Sequence, residues 1–249
     1  MEVSAVRALK PCVELPAGVV QLWYCEPPSI DDALLGRYER LLLPEERERR
    51  DRFVFERHRR EYVVTRALVR TALARHRPMG PAAWSFRRDG LGHRPEIDPP
   101  CGLHFNLTNH PTMVVCAVRE AGVVGVDVEP ADRGAEILEV AETVFSEAER
   151  RDLASLPESE RANRAVSLWT LKEAYLKARG AGLSLPLAKL SIVFDRDALA
   201  IDVHPDIEDG ERWRFATVDL FGHRVAVAAP GERLELRSAR LVPLVDDDA

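Results

Sequence analysis

Apolar positions follow two rhythms along the chain, one helical and one alternating, and their succession sets the predicted elements. Between residues 45 and 77, Val54, Val63, Val64, Ala67, Leu68, Thr71 and Leu73 recur near helical spacing, with no Gly or Pro before Pro78 and Gly80. One helix or a pair is predicted there. Residues 78–102 are rich in Pro and Gly and predict a loop around a short extended piece at 84–87. Segments 104–108 and 113–118 flank Asn109, His110 and Pro111 as a hairpin, and 123–129 is a further strand ended by Pro130. Helices are predicted over 136–145, 146–153 and 163–179, the last stopped by Gly180 and Gly182. Strands at 190–194, 200–203, 212–218 and 224–229 follow, with an acidic tail from Asp246 expected to fray.

A repeat organises this order. Glu46-Arg47-Glu48-Arg49-Arg50-Asp51 is echoed by Glu147-Ala148-Glu149-Arg150-Arg151-Asp152 at an offset of 101, with five of six positions the same. Each copy precedes a long helix and then a hairpin. The prediction is an α+β fold of two similar halves, 1–122 and 123–249, with small antiparallel sheets packed on helices and a ligand site at their junction. A chain of 249 residues with 46% hydrophobic content can bury cores of that size. No apolar run approaches the roughly 20 residues that span a bilayer, and acids and prolines occupy the first thirty residues, so a cytoplasmic protein without membrane contact is expected. Cys12, Cys25, Cys101 and Cys116 are widely spaced and form no CxxC pair, and are read as buried thiols.

Charge changes the picture in one segment. The net charge is −6, yet residues 47–77 hold eleven Arg against Glu48, Asp51, Glu56 and Glu61, a balance of +7 that leaves −13 elsewhere. Such a block suits a phosphate-rich ligand, nucleic acid, an acidic protein, or the solvated side of a helix. Only 6% of residues are aromatic and they are not interleaved with the Arg block, which leaves little surface for stacking bases.

In Val123-Val124-Gly125-Val126-Asp127-Val128-Glu129, alternation puts Val124, Val126 and Val128 on one strand face and Asp127 and Glu129 on the other. Carboxylates so placed repel one another unless a cation sits between them, which points to a hard metal such as magnesium; the alternative is a half-exposed edge strand with solvated acids. In Trp169-Thr170-Leu171-Lys172-Glu173-Ala174-Tyr175-Leu176-Lys177, residues Trp169, Glu173 and Lys177 share one helix face, while Leu168, Leu171, Tyr175 and Ala178 supply the apolar side. The chain has 31 Arg and four Lys, at 10, 172, 177 and 189, so two of the four fall in this motif. An ammonium is a compact point charge for phosphate where a guanidinium is a broad fork, and that difference argues against an ordinary surface pair.

Together, Gly125 to Glu129, then Phe145, Ser146 and Glu147, then Trp169 to Lys177 and Gly182-Leu183-Ser184-Leu185-Pro186 match the signature of 4′-phosphopantetheinyl transferases of the larger, surfactin-synthetase (Sfp) type. The similarity extends upstream through Leu43-Pro44-Glu45, Arg52-Phe53, Arg66 to Arg70, Arg94-Pro95 and Phe105 to Thr108, so the chain resembles that family over most of 20–230. The resemblance implies a monomeric pseudo-dimer that moves the phosphopantetheine arm of coenzyme A onto a serine of an apo acyl or peptidyl carrier protein and releases 3′,5′-ADP. It implies magnesium on Asp127, Glu129 and Glu173, with Glu173 also a base towards the serine, directly or through water, and Lys177 steadying the transferring phosphoryl group.

Coenzyme A contacts implied in the same way are Arg49, Arg52, Arg94, Thr108, Asn109 and His110. Many relatives follow Ser or Thr with His at this point. Here Thr108 is followed by Asn109 and then His110, so either one stands for the usual histidine. Relatives often have lysine at the position of Glu46, while Arg49 matches their next basic residue, which leaves open which arginine meets the 3′-phosphate. Two other functions could use these residues: a magnesium-dependent hydrolase of nucleotide phosphoanhydrides, and an arginine-rich nucleic-acid module.

Overall fold

The computed structural model describes residues 12–88, 95–180, 185–195, 198–204 and 208–245. Strand β1 (Val19–Cys25) is followed by α1 (Asp32–Glu39), α2 (Pro44–Asp51), α3 (Glu56–Ala74), and strands β2 (Ser85–Arg88), β3 (Pro95–Asp98), β4 (Leu103–His110) and β5 (Met113–Glu120). Then come β6 (Gly125–Pro130), α4 (Gly134–Glu139), α5 (Ala141–Val144), α6 (Glu147–Ser155), α7 (Glu158–Arg179), β7 (Leu190–Asp195), β8 (Ala198–Val203), β9 (Trp213–Leu220), β10 (His223–Pro230) and β11 (Glu235–Arg240).

Two sheets lie back to back between two long helices. The first has the order β11-β1-β5-β4 and the second β6-β10-β9. β5 is apolar on both faces: Val114, Cys116 and Val118 join the core under α3, while Met113, Val115 and Ala117 meet Val126, Val128, Val225 and Val227 of the second sheet. The far face of that second sheet, through Ala226, Ala228 and Phe215, packs on Leu168, Leu171 and Tyr175 of α7. The predicted α+β class with small antiparallel sheets on helices is therefore the observed one.

Several local expectations change. The 45–77 segment is a pair of helices, and Val54, counted with their apolar face, lies in the break between them and is exposed together with Phe55. The Pro- and Gly-rich stretch hides a second strand, β3, which pairs antiparallel with β2. Residues 136–145 form two short helices rather than one. Neither β1 nor β11 was predicted; β1 lacks alternation because its faces meet two different cores, Val19, Trp23 and Cys25 under α3 and Val20 and Leu22 against the second sheet, and β11 returns from beyond β10 to pair with it in parallel. Of the cysteines, Cys25 and Cys116 are buried as expected, whereas Cys12 is exposed and Cys101 only half-buried. Lys10, Arg94, Gly182, Leu183, Ser184 and the tail from Asp246 lie outside the described residues. Among the described residues no helix is long and apolar enough to cross a membrane.

Helices α2 and α6 start with the same device, which the hexapeptide repeat marks in a different register. In α6, Ser146 caps the helix and Glu149 reaches back to the Ser146 N–H at 2.8 Å. Glu149 is also buried against the Lys172 ammonium of α7. In α2, Glu46 accepts from the Leu43 N–H at 3.0 Å and from Arg70 of α3 at 2.8 Å. Each glutamate satisfies its own helix start and anchors the next long helix. The structurally equivalent residues are thus Glu46 and Glu149, an offset of 103 rather than 101.

Candidate active site

Gly125 determines where the site forms. A Cβ on it would fall 1.9 Å from the Ala174 carbonyl oxygen and 2.5 Å from the Ala178 nitrogen, so only glycine lets β6 lie directly on the α7 backbone. Asp127 and Glu129 share the strand face of Gly125 and therefore also point at α7. Strand and helix run in opposite directions: Asp127 reaches Lys177, and Glu129 reaches Trp169, about two helical turns nearer the start of α7. β6 is the edge strand of its sheet, and Asn106 of β4 closes part of that edge by accepting from the Val126 N–H at 2.9 Å.

Both strand carboxylates are buried, at 5% and 9% exposure, which excludes the solvated edge-strand alternative. Asp127 Oδ1 accepts from the Lys177 ammonium at 2.6 Å and from the Thr108 hydroxyl at 3.3 Å, and Lys177 also donates to Thr108 Oγ1 at 2.9 Å. Asp127 Oδ2 is buried with no partner among the described residues. Burial drives the Asp127 carboxyl above its ordinary range and Lys177 pulls it back. Glu129 Oε1 accepts from Arg133 at 2.6 Å and from the Trp169 indole at 2.9 Å. Glu173 is pushed up by burial first, then by the Asp127 charge, with Lys177 opposing and Glu129 adding to the shift. No three acidic, His or Cys groups among the described residues are close enough to enclose an ion by themselves. Magnesium needs only one or two carboxylates beside water and phosphate, and the orphaned Asp127 oxygen beside a charge-stressed Glu173 fits that demand.

Glu173 and Lys177 open into a cleft of about 1200 Å³, whose other walls come from α2, α3 and β4. Arg49, Arg52 and Asn109 line it. Thr108 is not on its wall but beneath it, in the Asp127–Lys177 cluster. Asn109 donates to Glu61 of α3. His110 turns away: its Nδ1 is 2.8 Å from the Thr112 hydroxyl, which is 2.7 Å from His223 Nε2 of β10. Burial and His223 hold His110 below the usual imidazole range. It is therefore Asn109, and not His110, that faces the cleft. Glu46, at the position where relatives often have lysine, is engaged by Arg70 and its own helix cap.

Sequence reasoning overlooked Tyr62 and Arg66 as site residues. Both line the cleft, with the Arg66 guanidinium 5.4 Å from the Tyr62 ring centre, and their spacing of one helical turn was the available signal. Burial holds Arg66 below its usual value. Lys172 corrects the lysine argument: its ammonium is fully buried on Glu149 and donates to the Val144 carbonyl at 2.8 Å, so it is a structural strut remote from phosphate. Only Lys177 of that pair belongs to the site.

A profile of the 4′-phosphopantetheinyl transferase superfamily matches residues 123–228, which include every acidic and basic group of the Asp127–Glu173–Lys177 cluster. A 4′-phosphopantetheinyl transferase of Bacillus subtilis is 32% identical over 164 residues, covering 66% of this chain and 69% of that protein. The 4′-phosphopantetheinyl transferase Sfp of Bacillus subtilis strain 168 is 28% identical over 193 residues, covering 78% of this chain and 84% of Sfp. HetI, a 4′-phosphopantetheinyl transferase of a Nostoc species, is 29% identical over 70% of this chain and 74% of its own. These matches reach from the carboxylate cluster across most of the fold that holds it, and the chain belongs to the 4′-phosphopantetheinyl transferase family.

Proposed function

We infer that this protein transfers the 4′-phosphopantetheine arm of coenzyme A to the serine hydroxyl of an apo acyl or peptidyl carrier protein and releases 3′,5′-ADP. The observation that carries the inference is the meeting of Asp127, Glu173 and Lys177 at one side of a large cleft whose opposite wall holds Arg49, Arg52 and Arg66. A ligand with several phosphates, one end reactive and the other merely held, suits such a division. Arg49 and Arg52 would hold the nucleotide phosphates through charge-assisted hydrogen bonds, with the Asn109 amide a further donor. Magnesium on Asp127 and Glu173, with Glu129 drawn in as a third ligand on binding, would neutralise charge on the diphosphate.

Glu173 accepts no hydrogen bond from the described residues, so its carboxylate is available to take the proton from the carrier serine, directly or through one water. The serine oxygen then bonds to the phosphorus that carries the pantetheine arm, and the bond from that phosphorus to the departing 3′,5′-ADP breaks. Lys177, fixed by Asp127 and Thr108, stands where an ammonium meets the charge on the transferring group. Incubation with coenzyme A, magnesium and a panel of apo carrier proteins, read by intact-protein mass spectrometry, tests this. One phosphopantetheine should be added to at least one carrier and none in Asp127→Ala; a panel left wholly unmodified by folded protein would contradict it.

A further inference from the structure

Glu129 has an internal cation, and that has consequences if Asp127, Glu129 and Glu173 hold magnesium, the reading on which this inference rests. Its Oε1 is filled by two donors, the Arg133 guanidinium at 2.6 Å and the Trp169 indole N–H at 2.9 Å. Arg133 stands in the short turn Ala131–Arg133 that leaves β6, with its charge 5.8 Å from the Trp169 ring centre. Its Nε also lies 3.4 Å from Glu136 Oε2. Arg133 therefore bridges two carboxylates of opposite character, Glu129 at 11% side-chain exposure and Glu136 at 75%.

We propose that Arg133 is a displaceable gate on the cation site: it neutralises Glu129 while no divalent cation is bound, and it swings towards Glu136 and solvent when one arrives. The two donors differ in how easily they leave. The indole is packed against the core beside α7, so its departure would break that packing. Arg133 is 38% exposed, regains water on leaving, and keeps Glu136 as a partner, so its departure is the less costly. The other strand ligand needs no such release, because Asp127 keeps Oδ2 free while Lys177 holds Oδ1. The gate is thus specific to Glu129, and Trp169, touched by both carboxylate and guanidinium, is placed to sense it. The other tryptophans, Trp23, Trp84 and Trp213, are buried elsewhere in the cores.

The test is Mn²⁺ binding to the full chain, measured by electron paramagnetic resonance on native protein, Arg133→Ala and Glu129→Gln. Removal of a competing internal cation should tighten Mn²⁺ binding by about fivefold, the upper end for an ion pair with one exposed partner, whereas Glu129→Gln should weaken it. In parallel, Mg²⁺ titration should change tryptophan emission in the native protein and change it much less in Arg133→Ala at equal occupancy. Mn²⁺ affinity equal to or weaker than native in Arg133→Ala, with native binding intact, overturns the gate but leaves the carboxylate site standing. Absence of Mn²⁺ binding to the native protein overturns both.

Discussion

Glu173 sits where burial and two neighbouring carboxylates all favour its protonated form and only Lys177 opposes them. A group held that way makes a better base than an ordinary carboxylate, and it costs stability whenever it is ionised. Its folded-state value is raised, so its favourable contribution is complete below the ordinary value of about 4.3 and is lost as pH rises through the raised one. Glu173→Gln should therefore melt higher than the native, metal-free protein at pH 7, and the gain should vanish below about pH 4; a lower melting temperature at pH 7 would contradict the assignment. The same variant should lose roughly 10²- to 10⁴-fold in single-turnover transfer, a trade of function for stability. Lys177 gives a sharper residue-scale test. Its ammonium fits between Asp127 and Thr108, a space that a guanidinium fork overfills, so Lys177→Arg should fail nearly as badly as Lys177→Ala in single-turnover transfer at saturating coenzyme A. Near-native transfer by both would return Lys177 to a surface role. From sequence, Lys172 and Lys177 looked alike; burial separates them, and burial is a property of the fold that residue type alone does not carry.

At the scale of elements, the strand-on-helix contact is what brings the carboxylates to the base. Gly125→Ala must part β6 from α7, at a cost at or above the upper end of the usual range of about 1–3 kcal/mol for overpacking. Gly180 is the control: it ends α7 at φ +64° with no atom of the described residues within 4 Å of its missing Cβ, so Gly180→Ala should cost only about 1 kcal/mol of backbone strain. Chemical denaturation of the two variants measures the difference, and equal costs would mean that the close approach does not constrain the site. The capping glutamate of α6 belongs at this scale too. Glu149→Gln leaves the Lys172 ammonium buried without its counter-charge and should cost about 3–5 kcal/mol. The alternating pattern of Val124 to Glu129 and the helical face of Trp169 to Lys177 were legible in the sequence, because each face meets one environment along its length. β1 and β11 were not legible. A strand buried on both faces has no alternation, and its parallel partner lies more than two hundred residues away, beyond any local pattern.

Across the whole molecule, the arginine block divides between structure and ligand. Arg70 and Arg66 face Glu46, Arg50 pairs with Glu39 and Asp51, Arg60 with Asp32 and Arg77 with Glu120, which leaves Arg49 and Arg52 as the freer charges in the cleft. The +7 balance visible in the sequence thus located the cleft wall but could not say which charges were already spent. If Arg49 or Arg52 meets the 3′-phosphate, dephospho-coenzyme A should be a poorer substrate than coenzyme A for the native enzyme, and the penalty should shrink in the Arg→Ala variant concerned. Equal discrimination in both variants would assign that contact elsewhere. Group transfer, not mere cleavage, defines the proposed reaction, and release of 3′,5′-ADP measures it directly. With coenzyme A and magnesium, one 3′,5′-ADP should appear per apo carrier protein bearing its acceptor serine, and none with a carrier in which that serine is alanine. Release of 3′,5′-ADP at the same rate without an acceptor serine would contradict the account and leave a hydrolase in its place.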